Sequence, residues 1–397
     1  MILKYVFFLI LGVDTLMLFL QTSHVSISYE EASLLYGDFS VLSSLTSLSL
    51  NLFGQNDLAL RFMMILFHLL SAILMYEISK RYIPLERNRL WLLLVFLLLP
   101  GVVSAAIIVN SAGMLIFGLL LFVYLSEKIP QRYLNVLLLL YALTDVSFVY
   151  LFLGLAVYYS MNKQKYNLVY VLALYMLTSY LYGFEVTGSP SGHFLDTIGI
   201  YSAIFTPIIF IYLFYALYKR YFTSKLDMLW CISATALILS LVLSFRQRIP
   251  LENFAPYLII ALPLAAQSFI SSYRVRLKVY RKRYKLAFVL SFIFLISNTL
   301  LVFFNKELYV FIQNPKNHFA YEMHVAKELS NILKERDILC LTTDEKMQTR
   351  LKFYGVTKCK DILLVEKNIR AEKATNVTIS YKNSVLYRAD VTIINNI

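Results

Sequence analysis

Long apolar runs alternate with short polar connections from the first residues to about residue 305, and then the pattern changes. A membrane helix needs about 20 apolar residues. About eleven segments approach or reach that length: 3–22, 58–79, 89–105, 111–126, 132–144, 146–160, 166–184, 198–218, 226–244, 254–271 and 286–304. The fifth and sixth are short and nearly continuous. Lys4 precedes the first segment as it would in a signal peptide, but that segment is long, contains Asp14 and has no small-residue cleavage site. It is therefore expected to stay as a span. Between the first two segments lies the longest non-apolar stretch of this part, 23–57. Its residues SLLYGDFSVLSSLTSLSLNLFG alternate with a helical period, which predicts short helices lying along the membrane surface.

From residue 306 the chain is polar enough to fold in water. YEMHVAKELSNILKER (321–336) predicts an amphipathic helix, DILCLTT (337–343) a strand, DEKMQTRLKFYG (344–355) a helix and KDILLVEK (360–367) another strand, a βαβ pattern. NVTISY and DVTIINNI predict further strands. The expected fold class is a polytopic α-helical membrane protein, with a transmembrane domain over 1–305 and a small C-terminal α/β domain over 306–397. No internal repeat or low-complexity segment interrupts it.

Basic residues orient this map, because cytoplasmic loops carry the excess of Lys and Arg. With the N-terminus inside, the inner connections hold Lys80, Arg81, Arg87 and Arg89, then Lys128 and Arg132, Lys163 and Lys165, Lys219, Arg220 and Lys225, and the dense run SSYRVRLKVYRKRYK that ends at Lys285. The outer loops and helix ends hold only Arg61, Arg246 and Arg248. The asymmetry predicts N-in and C-out, an odd number of spans and an extracytoplasmic tail. Composition agrees: 59% of residues are hydrophobic and 15% charged, where a soluble domain carries roughly 25% charged. That excludes a soluble multidomain, disordered or disulfide-scaffold protein. The net charge of +13 follows from topology and does not call for nucleic acid.

The outer exceptions carry the candidate chemistry. An outward Arg246 and Arg248 pair in SFRQRIPLENF runs against the charge bias, and guanidinium groups pair with phosphate oxygens bidentately. The competing reading is snorkelling at the interface. Arg61 either serves the same anion pocket or caps a helix end. In the first outer loop Glu30 and Glu31 are adjacent, so on a helix they point about 100° apart and suit different roles. One can act as a base while the other holds structure. Asn110 and Asp145, at outer turns, are candidate cavity-lining groups or turn caps. The loop 183–196 brings Glu185, His193 and Asp196 outward, with His193 a candidate for substrate contact. Asp14 is an ionisable group within a span and either functional or paired with another helix; His68 reads as a packing residue. Cys340 and Cys359 flank the tail helix on the oxidising side, where a disulfide is permitted. Most Tyr and Phe are explained as lipid-facing or interfacial. No dense His and carboxylate cluster indicates a divalent metal.

The order of these features resembles the start of the GT-C glycosyltransferases, polytopic enzymes that use polyprenyl-phosphate sugars. The resemblance is to the branch with the lipid A aminoarabinose transferase and the protein O-mannosyltransferases. It rests on a first span, then adjacent acids in the outer loop, Leu52-Phe53-Gly54, and Ala59-Leu60-Arg61 running into a second span that ends in Met75-Tyr76-Glu77-Ile78-Ser79-Lys80-Arg81. Glu30 and Glu31 occupy the family's Asp-Glu positions, and Leu351-Lys352-Phe353-Tyr354-Gly355 resembles a stretch of its outer C-terminal domain. The His-Pro-Pro or Lys-Pro element of the family's first loop is replaced here by FSVLSSLTSL. The resemblance implies a bacterial inner-membrane enzyme with a polyprenyl-phosphate-linked sugar as donor substrate and a glycan, lipid or protein acceptor. Glu30 would be the first choice of base and Glu31 the second. Arg61, Arg246, Arg248, His193, Asn110 and Asp145 would bind substrate and lipid phosphate. An O-antigen ligase or polymerase also uses outer arginines, but commonly has a long late outer loop. A transporter would favour internal repeats and broken helices, and a membrane scaffold would leave Glu30 and Glu31 inert.

Overall fold

The computed structural model describes residues 2–183, 192–223, 226–312, 314–367, 376–382 and 384–393. The chain is mostly helical, with one small sheet. Each expected apolar segment is helical over most of its length, but the helices are not all spans by length. Among the described residues, three are long and apolar enough to cross a membrane: Ile2–His24, Asp57–Tyr82 and Lys278–Phe303. Three more candidates are bent pairs: Glu86–Leu97 with Pro100–Ile107 at 59°, Phe194–Phe205 with Pro207–Thr223 at 104°, and Leu251–Ile259 with Leu262–Val275 at 42°. The length criterion thus gives three to six spans where the hydropathy pattern suggested about eleven. Proline explains the breaks. Pro100, Pro207 and Pro263 sit in the first turn of the second helix of each pair, where the missing N–H costs nothing but the preceding helix cannot continue. Other apolar helices, Ser111–Leu125 and Met228–Ser244 among them, stop at 15 and 17 residues.

The chain divides into two compact units, 1–18 with 64–299 and 19–63 with 300–397. The first outer loop therefore groups with the tail, and not with the rest of the expected 1–305 domain. In unit 1, aromatic side chains fill the core: Phe96, Phe122, Phe152, Tyr201 and Phe205 are buried, and Tyr141 stacks on Phe148 at 4.3 Å. Helix Val149–Met161 approaches Met228–Ser244 backbone to backbone at Gly154, where a Cβ would fall 2.7 Å from the Ile232 Cα. Small residues permit such close packing between apolar helices. Asp14 and His68 pair across two helices, Oδ2 to Nε2 at 2.8 Å.

In unit 2, the loop forms helices Tyr29–Tyr36 and Val41–Phe53, as its periodicity predicts. The tail contains helices Ala326–Glu335 and Glu345–Phe353 and three strands, β1 Ile362–Glu366, β2 Val377–Tyr381 and β3 Ser384–Ile393. They form an antiparallel sheet of order β1-β3-β2, with Ile362 opposite Ile393 and Val377 opposite Ala389. The βαβ expectation holds only in reduced form, as Thr342 pairs in parallel with β1 across helix Glu345–Phe353. Segment 337–343 makes only two isolated parallel bridges, Cys340 with Thr357 and Thr342 with Leu363, and the sheet is built from the three later strands. Leu329, Leu333, Leu351, Ile379 and Tyr387 close the core beneath it. Cys340 and Cys359 form a disulfide, with Cα atoms 5.4 Å apart.

Candidate functional site

The first outer loop is set by a capping box. Ser28 accepts a hydrogen bond from the Glu31 N–H at 3.1 Å, and Glu31 Oε2 accepts one from the Ser28 N–H at 2.9 Å. Each side chain thus satisfies a helix-end donor of the other, which starts helix Tyr29–Tyr36 at a defined residue. The two acids then diverge. Glu31 faces inward and is fully buried, whereas Glu30 is exposed. The Glu30 carboxylate has no partner among the described residues.

Arg61 explains why Glu31 tolerates burial. Its Nε donates to Glu31 Oε1 at 3.0 Å and its Nη2 to Glu31 Oε2 at 2.7 Å, a bidentate pair. Nη1 donates to the carbonyls of Val25 at 2.6 Å and Thr22 at 3.4 Å, and Nη2 also to Ser26 at 3.0 Å. All five guanidinium N–H groups are engaged within the chain, and the side chain is fully buried. This arrangement corrects two expectations. Arg61 has no donor left for a lipid phosphate, and Glu31 is held as the counter-charge of Arg61, so neither is presented to a substrate.

The tail holds the same loop from the other side within unit 2. The Ser26 N–H donates to the Met323 carbonyl at 2.9 Å and the Ile27 N–H to the Tyr354 hydroxyl at 2.9 Å. Tyr354 in turn donates to Asp57 Oδ1 at 2.7 Å. Lys327 Nζ lies 2.7 Å from Asp57 Oδ2 and donates to the Ser23 carbonyl at 2.9 Å. Burial, reinforced by the Asp57 carboxylate, holds the Tyr354 phenol far above its ordinary pKa, so it stays a donor. Gln55 reaches the Phe353 carbonyl at 2.7 Å. Lys346 and Lys352 stand over the rings of Tyr29 and Tyr36, 5.4 and 4.0 Å from their centroids. Asp57, Lys327 and Tyr354 were not singled out as site residues from the sequence. Only Tyr354 had a signal, in the tail stretch that carries the family resemblance.

The other five candidates belong to unit 1. Arg246 and Arg248 are exposed, in the connection between Met228–Ser244 and the short helix Leu251–Asn253. Neither guanidinium has a partner among the described residues. The same connection meets His193, whose N–H donates to the Ser244 carbonyl at 2.9 Å while Phe194 stacks on Phe245 at 4.8 Å. His193 Nδ1 lies 3.3 Å from Asp196 Oδ2; Glu185 falls outside the described residues. Asn110 and Asp145 act as caps. Their side chains accept from the N–H groups of Gly113 at 3.3 Å and Ser147 at 2.8 Å. The neighbouring hydroxyls of Ser111 and Ser147 both donate to Asn253 Oδ1, at 3.3 and 2.9 Å. Asn253, which composition did not mark, is therefore the hub that joins these turns to the arginine segment. Among the described residues, no three His, Cys, Asp or Glu side chains converge as a metal site.

No protein-family model and no curated protein matches the sequence. Solved structures do match. The crystal structure of ArnT from Cupriavidus metallidurans bound to undecaprenyl phosphate aligns with a TM-score of 0.56 at 14% identity, covering 89% of this chain and 75% of that one. The apo structure of the same protein aligns with a TM-score of 0.55 at 15% identity, covering 88% and 74%. At these identities the likeness is one of fold: along most of its length the chain has the architecture of ArnT, the one its GT-C resemblance implied.

Proposed function

We propose that the chain is a GT-C-type glycosyltransferase of the bacterial inner membrane. It takes a sugar from a polyprenyl-phosphate carrier and places it on a glycan, lipid or protein acceptor at the outer face. The observation that carries this reading is an exposed arginine pair, without partners among the described residues, on a chain whose fold is that of ArnT, one of whose structures holds undecaprenyl phosphate. In this reading the chain runs N-in and C-out with about eleven membrane segments, some of them broken or short, and the tail lies outside.

In the transfer, an acceptor hydroxyl attacks the anomeric carbon and the bond from that carbon to the phosphate oxygen breaks. The electron pair stays on the phosphate. The leaving group is an anion that needs cationic stabilisation more than a proton, and Arg246 and Arg248 supply it. The hydroxyl proton passes to Glu30, the acid left exposed by the capping box. Attack opposite the leaving phosphate inverts the anomeric centre. His193, which shares the arginine connection, contacts the sugar or the phosphate. Asn110 and Asp145 act indirectly, by holding the turns that carry Ser111 and Ser147.

The test is native mass spectrometry of the purified protein with added undecaprenyl phosphate, comparing wild type with Arg246→Ala/Arg248→Ala. Wild type should retain the carrier and the variant should lose at least about tenfold in occupancy, since each charge-assisted hydrogen bond is worth roughly 1.5–3 kcal/mol. Equal retention by both would remove the arginines from the reading. No retention by either would count against a lipid-linked donor altogether.

A further inference from the structure

The connection 22–28 is held at many of its polar backbone groups. Arg61 takes the carbonyls of residues 22, 25 and 26. Glu31 takes the N–H of Ser28. Three further groups go to the tail: Ser23 O to Lys327, Ser26 N–H to Met323 O, and Ile27 N–H to Tyr354. The tail therefore supplies the bonds that the loop's own side chains do not reach. Glu30 follows this connection by two residues. The helix that carries Glu30 is also covered by Lys346 and Lys352, which stand over its first and last residues, Tyr29 and Tyr36.

We infer that the C-terminal tail is the positioning element for Glu30, and that Tyr354 is its positioning residue, by bonding the Ile27 N–H and Asp57 at once. This rests on the reading of Glu30 as base. Tyr354 touches no substrate in this account. It acts by fixing the N-terminal turn of helix Tyr29–Tyr36, and hence where the Glu30 carboxylate stands. Displacements of about 1 Å in a reacting group can cost about a hundredfold in rate, so the effect belongs in kcat. Donor binding, which the reading assigns to Arg246 and Arg248, should not change.

The experiment uses full-length protein in lipid nanodiscs, as wild type, Tyr354→Phe and Glu30→Gln. Two quantities are read: amide exchange of residues 22–36, and turnover of polyprenyl-phosphate sugars extracted from the source cells, followed as free polyprenyl phosphate released. Tyr354→Phe keeps the ring and removes one hydroxyl. It should speed exchange at residues 26–31 by about tenfold or more and lower kcat by roughly ten- to a hundredfold. KM for the lipid donor should stay within about twofold, with kcat expressed per folded molecule as counted by bound carrier, because loss of folded protein alone also lowers apparent kcat at constant KM. If Tyr354→Phe does not fold, Lys327→Gln tests the same contacts through Ser23 and Asp57. Unchanged kcat, or unchanged exchange, in a folded variant while Glu30→Gln is inactive would overturn this inference alone. Full turnover by Glu30→Gln would overturn the base assignment and this inference together.

Discussion

Glu30 and Glu31 are chemically equivalent neighbours with opposite fates, and the difference follows from one serine. Ser28 places Glu31 at the third position of the helix, where its carboxylate turns back to the Ser28 N–H and meets Arg61. Glu30, one position earlier, is left outward. Breaking a buried ion pair by removing one partner costs about 3–5 kcal/mol, because the other charge stays buried and unpaired. Glu31→Gln and Arg61→Ala should therefore lower the thermal midpoint of the purified protein strongly. Glu30→Gln should leave it within the range of a surface substitution, about 0.5 kcal/mol. The same stability for both glutamate variants would contradict the pairing. The Ser28-x-x-Glu31 signature of a capping box was present in the sequence, but next to adjacent acids in an outer loop it read as chemistry. Hydropathy cannot tell an arginine offered to a ligand from one already bonded to four of its own neighbours, which is why Arg61 was misplaced.

At the scale of elements, the apolar segments were legible because periodicity and length are local properties. Their bends were less so. A run such as 198–218 stays apolar straight through Pro207, and nothing in its hydropathy records a turn of 104°. Strands 360–367 and 376–381 were also legible, and DVTIINNI marked the end of β3, but the pairing was not, since β3 pairs with both and alternation does not name a neighbour. The tail's helical segment contributes a pH dependence of its own. His318 donates from Nε2 to the Asn305 carbonyl and accepts the Ala320 N–H at Nδ1, which requires the neutral ring. Burial holds its pKa below the ordinary value. His324 faces the Tyr309 hydroxyl at 3.0 Å, and burial, with Lys306 and His318 nearby, lowers it to about 3. A histidine depressed on folding contributes stability that is complete above about pH 6.5, its unfolded value, and declines as pH falls toward the folded value. Amide protection of the tail should drop between pH 7.5 and 5. Glu307 differs in window: Lys382 and Tyr381 hold it below its ordinary value, so its contribution falls only nearer pH 4. Constant protection from pH 7.5 to 5 would show that the two imidazoles are not buried neutral.

For the whole molecule, charge placement predicts an orientation, and the resemblance implied the architecture, which the ArnT fold matches along 89% of the chain. The grouping of the first loop with the tail was not legible. It depends on hydrogen bonds between residues hundreds of positions apart, for which a single sequence holds no period. The N-in, C-out reading makes a direct prediction for intact cells. A membrane-impermeant maleimide should label Lys334→Cys, on the exposed face of helix Ala326–Glu335, without lysis. Arg283→Cys, in the basic run, should be labelled only after lysis. The reverse pattern would invert the topology and remove Glu30 from the outer face.

The bond from Ile27 to Tyr354 joins residues 327 positions apart, and that distance is also a delay in synthesis. At about 5–20 residues per second, the acid-bearing loop leaves the ribosome roughly 15 to 65 seconds before the tyrosine that secures it. During that interval the later apolar helices are made while the first loop is held by its own capping box and the Arg61–Glu31 pair. A late-made segment thus completes an early one, and a nascent chain cut short before Tyr354 carries the first loop without the bond from Ile27 to Tyr354.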